Sequence, residues 1–383
     1  MPKKSLTLDI ELEVLNWLIK SSGWSDEEIA KRINTSPESL RKIRSRDKKP
    51  TFRQLRELSI IFNRPVAAFL LSKPMEEKPK PKDYRMIPGK LDKFDKKTIL
   101  VLRKSRRLQE LTRELSRNIN YEVKTRLEKA SVQDNPEEIA NKYREIFNLT
   151  EEKQRKFKTS YELFHHLRDI LEDMNIYVFQ FSMPVEDARG FVFVDETPNV
   201  IVVNTKDSIE ARLFSLMHEF AHILLGESAI DFPDITLSAR NNIEKWCNNF
   251  SAAFLLPKPL ANTLFKERES ELTKKETLNY LSKKYKVSKA MLLITMKELD
   301  FIAQHDYDSI INRFKAERKK EAEKGAKGGG VSSDKKILSE RGNKFISLVA
   351  NNFDKDFITY TDALNYLSIK SKNFDKVLAQ AKK

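Results

Sequence analysis

A helix-length apolar segment in the middle of the 383-residue chain carries three ionisable side chains, and few folds can accommodate it. Residues 213–225 are apolar at most positions, which is typical of a helix buried in a core. His218 and His222 are four residues apart, so on a helix both imidazoles lie on one face and can reach a single metal ion. Glu219 lies beside them, where its carboxylate can hold a water molecule and accept its proton.

A second segment supplies a third ligand for such an ion. Residues 243–256 predict another buried helix, which ends near Pro257. Glu244 lies at its start, and two histidines with one glutamate leave an open position for water, the arrangement of a catalytic zinc ion. Asn248, one turn after Glu244, is predicted to hydrogen-bond the far nitrogen of a ligand histidine.

Other interpretations of these segments remain open. The H-E-x-x-H pattern is short enough to occur by chance, and Glu244 could be a solvated carboxylate at a helix start. Three acidic residues on the intervening loop are alternative third ligands, although none has a comparable helical setting. They are Glu227, Asp231 and Asp234.

Together these segments resemble the ImmA/IrrE family of metallo-endopeptidases. The family pattern is a strand ending in Asn, then H-E-x-x-H, then E-x-x-x-N-x-F-A-A-x-x-L-x-P. Here the strand is Val200–Asn204, and the second motif departs from the pattern only at Ser251, where Ala is usual. Arg189-Gly190-Phe191 and Asp83-Tyr84-Arg85 add to the resemblance, which covers about residues 80–300.

The resemblance implies a zinc peptidase that cuts repressor-type proteins in bacterial, archaeal or phage circuits, including stress response and phage defence. It assigns His218, His222 and Glu244 as zinc ligands and Glu219 as general base. A donor for the developing oxyanion is also needed. The candidates for that donor are His305, Tyr84 and Arg189.

Three runs of β-branched and aromatic residues predict a small sheet packed against the H-E-x-x-H helix: 176–181, 190–194 and 200–204. In zinc peptidases of this arrangement an exposed edge strand pairs with the substrate backbone. Val202, Val203 and Asn204 are therefore candidate substrate contacts, and plain sheet core is the alternative for the two valines.

Residues 6–71 predict a bundle of short helices. Ser25 begins a capping box, and Ser36 with Pro37 begins the next helix after a tight turn. This pattern resembles a helix-turn-helix domain of the Cro/repressor (XRE-like) kind.

The second helix of this motif is strongly basic. Nine Lys or Arg and two acidic residues occur between Lys31 and Arg53. We expect this helix to contact DNA, with basic side chains on phosphates and others on base edges. A single copy binds weakly, so a homodimer or a second DNA-contacting element is implied. The candidate DNA contacts are Glu38, Ser39, Arg41, Lys42, Arg44 and Arg46.

Composition agrees with a predominantly helical α+β protein. The formal net charge of +15 favours nucleic acid or another anionic surface as a partner. No apolar run is long enough to span a membrane, the single cysteine allows no internal disulfide, and the N-terminus is not a signal peptide, so we expect a cytoplasmic protein.

Five regions are predicted along the chain. They are a helix-turn-helix domain (1–73), a Pro-rich linker (74–94), a zincin-like peptidase domain (95–260), a helical subdomain (261–327) and a small helical C-terminal unit after Gly328-Gly329-Gly330 (328–383).

Two other functions fit the same residues. The chain could be a DNA-binding transcription regulator whose metal domain is regulatory, with little proteolysis. Alternatively, the helix-turn-helix could be a docking arm that recognises a protein substrate, such as a helix-turn-helix repressor.

Overall fold

Helices dominate the computed structural model, which describes residues 6–74, 94–125, 127–226, 230–231, 242–323 and 333–381. The described chain divides by packing into two units. The first holds residues 6–74, 94–108 and 182–187, and the second holds 109–181 and the described residues from 188 onward. The predicted linker, Asp83-Tyr84-Arg85 and the three glycines at 328–330 lie outside the described residues.

The first unit is a bundle of short helices around one apolar core. Its helices are α1 (Leu12–Ser22), α2 (Asp26–Arg32), α3 (Pro37–Arg44), α4 (Phe52–Phe62), a 3-10 turn (Val66–Leu70) and the first part of α5 (Lys96–Asn118). Leu15, Ile29, Leu40 and Leu55 from successive helices are fully buried together.

The helix boundaries of this bundle follow from local capping, as predicted. Gly23 ends α1 in the left-handed conformation, with φ of 72°. Ser25 forms a capping box with Glu28 at the start of α2. The Ser36 hydroxyl accepts a hydrogen bond from the backbone N–H of Ser39 at the start of α3.

The second unit contains the sheet and the remaining helices. The helices are the rest of α5, α6 (Pro136–Ile146), α7 (Glu151–Lys156), α8 (Ser160–Asp173), α9 (Ile209–Leu225), α10 (Asn242–Leu255), α11 (Lys258–Lys266), α12 (Lys275–Tyr285), α13 (Lys289–Glu298), α14 (Gln304–Glu323), α15 (Ser333–Arg341), α16 (Asn343–Asp354), α17 (Tyr360–Leu367) and α18 (Phe374–Ala381).

The sheet has the strand order β1-β3-β2-β4. The strands are β1 (Ile176–Phe181), β2 (Gly190–Phe193), β3 (Asn199–Asn204) and β4 (Ile230–Asp231). β3 is parallel to β1 and antiparallel to β2, and β4 is antiparallel to β2. The three predicted strands and the predominantly helical α+β class are confirmed; the two-residue β4 was not predicted.

Helices cover both faces of the sheet. Side chains alternate between the faces, and Val178, Val192 and Ile201 join the core that includes α8, α9 and α10. On the opposite face, the Phe179 ring packs edge-on against Phe345 of α16, with centroids 5.7 Å apart. The sheet is thus the middle layer of three.

The C-terminal helices are held to this unit by buried polar contacts. Arg168 of α8 donates to the backbone oxygen of Ser339 (2.7 Å) and pairs with Glu172 (2.9 Å), and both side chains are almost fully buried. Glu172 in turn accepts the backbone N–H of Lys344 (3.0 Å). The C-terminal helices therefore pack within the second unit, and the predicted boundaries at residues 260 and 327 stay predictions.

None of the helices in the described residues is long and apolar enough to cross a membrane.

Candidate metal centre

Helix α9 places two histidines and a glutamate in the core. It begins at Ser208, whose hydroxyl accepts the backbone N–H of Ala211, and it ends at Gly226 with φ of 77°. At its C-terminal end the Lys129 ammonium donates to the backbone oxygen of Ile223 (2.9 Å). A cation on these carbonyls is favourable because the helix dipole is negative there.

Helix α10 carries the third candidate ligand, Glu244. Its last turn is held by two polar side chains: Arg144 donates to the Phe254 oxygen (2.5 Å), and Gln154 donates to the Leu255 oxygen (2.8 Å). These bonds satisfy carbonyls that a helix end leaves without partners.

Aromatic rings pack α9 against α10. Phe220 lies 6.1 Å from Phe250, and Tyr143 of α6 lies edge-on to Phe220 at 5.2 Å. Trp246 stacks on Phe250 at 5.6 Å. This packing fixes the separation of the two helices, and so the separation of their polar side chains.

The three side chains converge on one point. The Nε2 atoms of His218 and His222 are 3.2 Å apart. The Glu244 carboxylate lies between them, with one oxygen 3.2 Å from His218 Nε2 and the other 3.3 Å from His222 Nε2. The side chains could hold a metal ion, since each offers one ligand atom within 4.8 Å of the others.

Burial makes this cluster costly without a bound cation. His218, His222, Glu244 and the adjacent Glu219 are all 0% exposed. Burial alone raises the pKa of Glu244, but hydrogen bonds and charge from the two histidines outweigh it and lower the pKa below its ordinary range. A carboxylate therefore faces the imidazoles, and a cation between them would offset the cost of burying it.

Residues 171–297 match the IrrE N-terminal-like domain, the family model Peptidase_M78. The IrrE-like region begins within α8 and contains the whole sheet, α9 and α10, and it spans about a third of the chain. The match supports the resemblance to ImmA/IrrE metallopeptidases for this region, and it does not include the N-terminal bundle. No curated protein matches the chain.

The prediction that β3 is an exposed edge strand is wrong. β3 lies between β1 and β2 and pairs with both, so its backbone has no free edge for a substrate. Val202 and Val203 are fully buried. Asn204 is buried too: its side chain donates to the Ala188 oxygen (2.8 Å) and accepts the Lys206 N–H (3.0 Å). The sheet-core alternative is correct for the valines.

Among the described residues, the others predicted for the site do not belong to the cluster of His218, His222 and Glu244. Asn248 is half-buried on α10, one turn after Glu244, and its role stays a prediction. Arg189 pairs with Asp207 at 3.1 Å. The His305 side chain is 83% exposed beside Asp306, so it does not share the buried cluster. Tyr84, Glu227 and Asp234 lie outside the described residues.

The predicted DNA contacts lie on or just after α3. Lys42 and Glu38 form an exposed ion pair (2.9 Å), and Lys48 donates to the Ser39 hydroxyl (2.8 Å). Arg41 is exposed. Arg46 lies beyond the helix end with φ of 69°.

Arg44 differs from the other candidates because its guanidinium is used inside the bundle. It donates to the Asn16 side chain (2.7 Å) and to both carboxylate oxygens of Asp26 (2.9 and 2.8 Å). These bonds join α3 to α1 and α2. Its contacts therefore indicate a structural role, and its contact with DNA stays a prediction.

Sequence reasoning missed a close approach between the sheet and the base candidate. A Cβ atom at Gly190 of β2 would lie 3.0 Å from Glu219 Oε1 and 3.0 Å from the Val202 oxygen. Gly190 itself was the signal, since a glycine that takes part in a strand of β-branched and aromatic residues can mark a close contact.

Proposed function

We propose that this chain is a zinc-dependent endopeptidase of the H-E-x-x-H…E type with a helix-turn-helix at its N-terminus. The observation that supports it best is the convergence of His218, His222 and Glu244 beside a buried Glu219. Two imidazoles and one carboxylate are the protein ligands of a catalytic zinc ion, with a fourth position left for water or substrate.

The spacing of the ligand atoms suits zinc. In a tetrahedral site with bonds of about 2.0–2.1 Å, neighbouring ligand atoms lie roughly 3.3 Å apart. The separations of 3.2, 3.2 and 3.3 Å among His218, His222 and Glu244 agree with that value. Zinc bound there would act as a Lewis acid on the scissile carbonyl and lower the pKa of water to about 7.

Glu219 is the general base in this proposal. Its carboxylate follows His218 directly on α9 and is fully buried, with Oε1 close to β2 at Gly190. In this proposal it reaches the water at the metal. It would accept a proton from the attacking water and deliver it to the leaving amine.

The proposed substrate is a regulatory protein, such as a helix-turn-helix repressor, in the cytoplasm. The family resemblance supports this class. The basic N-terminal bundle supports it indirectly, because it would bring the peptidase to DNA or to DNA-bound proteins.

A transcription regulator with a latent metal domain is the second candidate function. The observation that favours it is the complete burial of all four cluster residues, since a peptide backbone must reach the metal to be cut. In that case the metal would stabilise the fold, and DNA binding would carry the function.

The test is Glu219→Gln in the full chain, which keeps the size of the side chain and removes its basicity. We expect zinc to be retained and cleavage to fall at least about 10²-fold, the usual contribution of a general base. Mass spectrometry of new N-termini in a host proteome would compare the two proteins. New N-termini that appear equally with the wild type and with Glu219→Gln would contradict the role of Glu219. If neither protein produces new N-termini, the result would favour the transcription regulator.

A further inference from the structure

Gly190 occupies a crowded position on β2. It pairs with Val203 of β3 on one side and with Asp231 of β4 on the other, so its backbone is held by the sheet. Its φ does not lie in the left-handed region, and the backbone conformation therefore does not require glycine. The reason for glycine must be the space that a side chain would fill.

That space is occupied by the carboxylate of Glu219. A Cβ atom at residue 190 would lie 3.0 Å from Glu219 Oε1 and 3.4 Å from its Cγ. At 3.0 Å the Oε1 atom would have to move by a few tenths of an ångström, whereas 3.4 Å from Cγ is close to ordinary carbon–carbon contact. The Val202 oxygen, also 3.0 Å away, is backbone of the central strand and has little freedom to yield.

We propose that Gly190 is a positioning residue for the general base, because its missing side chain leaves the space in which the Glu219 carboxylate is held. Helix α9 fixes the position of the Glu219 backbone. On the sheet side, the backbone of β2 at Gly190 limits how far the Glu219 carboxylate can move. The catalytic consequence rests on the proposed peptidase function, whereas the steric part does not.

The steric part is tested by thermal unfolding of metal-free full-length protein in a double-mutant cycle. Gly190→Ala should lower the melting temperature by roughly 2–10 °C, as overpacking of a core does. Glu219→Ala removes the side-chain atoms that overlap, so in its background Gly190→Ala should lower the melting temperature less, and the remaining loss belongs to the Val202 oxygen.

A matched control lies on the same strand and the same face. Val192→Ile adds one methyl group to the core on the α9 side, two residues from Gly190. Its effect on the melting temperature should be equal in both backgrounds. Equal losses for Gly190→Ala in the two backgrounds would assign the overlap to the Val202 oxygen and overturn the proposal.

A failure of the Gly190→Ala protein to fold would also test the steric part of the proposal. If Gly190→Ala alone does not fold, recovery of folding in Gly190→Ala/Glu219→Ala supports the proposal. Failure of the double variant, with Glu219→Ala itself folded, contradicts it.

The catalytic part is tested on a substrate found with the wild-type protein. Gly190→Ala should lower kcat about 10²-fold with KM changed less than about threefold and zinc content unchanged, because the base alone is displaced. In the Glu219→Gln background, single-turnover rates should show no further loss. A similar loss in both backgrounds would overturn the positioning role. If the wild type cleaves nothing, the proposed function fails while the unfolding cycle still tests the steric claim.

Discussion

Individual buried side chains set the chemistry of this protein. Two imidazoles and the Glu244 carboxylate lie in one fully buried cluster, and an isolated buried charge costs several kcal/mol. Bound metal would turn that cost into stabilisation, since a ligand that binds only the folded state stabilises it in proportion to its affinity.

Asn204 is a residue whose function the structure reassigns from substrate contact to support. Asn204→Ala would leave the Ala188 oxygen and the Lys206 N–H without their partner. We expect a loss of about 1–3 kcal/mol in the free energy of unfolding, measured by chemical denaturation.

Asn199→Ala is the matched control at the other end of β3. Its side chain donates to the Thr125 hydroxyl (3.2 Å) and is only partly buried, so its loss should cost less. An Asn204→Ala protein of normal stability with a raised KM would restore the substrate-binding interpretation.

At the residue scale, the sequence predicted that His218, His222 and Glu244 lie together, because helical spacing and ligand chemistry can be read from the residues themselves. The Gly190 contact depends on the register of β2 against a distant helix. Only the strand glycine itself pointed to it.

Among the elements, the turn between α15 and α16 packs tightly against α8. Gly342 has φ of 79°, and a Cβ atom there would lie 2.0 Å from Glu172 Oε1 and 2.6 Å from Arg168 Nη2. The buried Arg168–Glu172 pair thus approaches the backbone of the turn directly. A side chain at this point would break the pair or separate the turn from α8.

We therefore predict that Gly342→Ala loosens α15–α18. The free energy of unfolding should fall by more than about 3 kcal/mol, because a buried ion pair is disrupted in addition to the backbone strain. Hydrogen exchange should increase in residues 333–381.

Gly226→Ala is the control, because Gly226 has a similar φ of 77°, and within the described part of the chain only the Lys129 ammonium lies near its Cβ position, at 3.7 Å. Its cost should be about 1–2 kcal/mol, the strain of the left-handed conformation. Equal losses for the two variants would contradict the docking of the turn on Arg168 and Glu172.

The bounds of these elements could be predicted from the sequence, but their arrangement could not. Helix starts and ends depend on capping residues nearby, such as Ser25 and Ser36, and strands depend on local alternation. The central position of β3 depends on which strands pair, and the covering of Phe179 by α16 depends on contacts across more than a hundred residues. Neither has a local signal.

Across the whole molecule, the basic bundle and the metal centre belong to different packing units, so their functions can be tested separately. Arg41→Ala with Lys42→Ala removes two exposed cations from α3. If both contact phosphates, affinity for duplex DNA should fall, and the slope of log K against log salt should weaken by about 2. Cleavage of a free protein substrate should be unchanged.

Lys20→Ala with Arg56→Ala removes the same charge from exposed positions outside α3 and should affect DNA binding less. If the α3 variant instead shows impaired cleavage and unchanged DNA affinity, the bundle is a docking arm for the substrate.

The central claim is a zinc ion held by His218, His222 and Glu244, and elemental analysis of full-length protein purified without added metal tests it most directly. We expect about one zinc per chain in the wild type and in a control with a substitution at an exposed position, Glu145→Ala, and loss of that zinc in Glu244→Ala. A wild type without metal, or a Glu244→Ala protein that keeps its zinc, would contradict it.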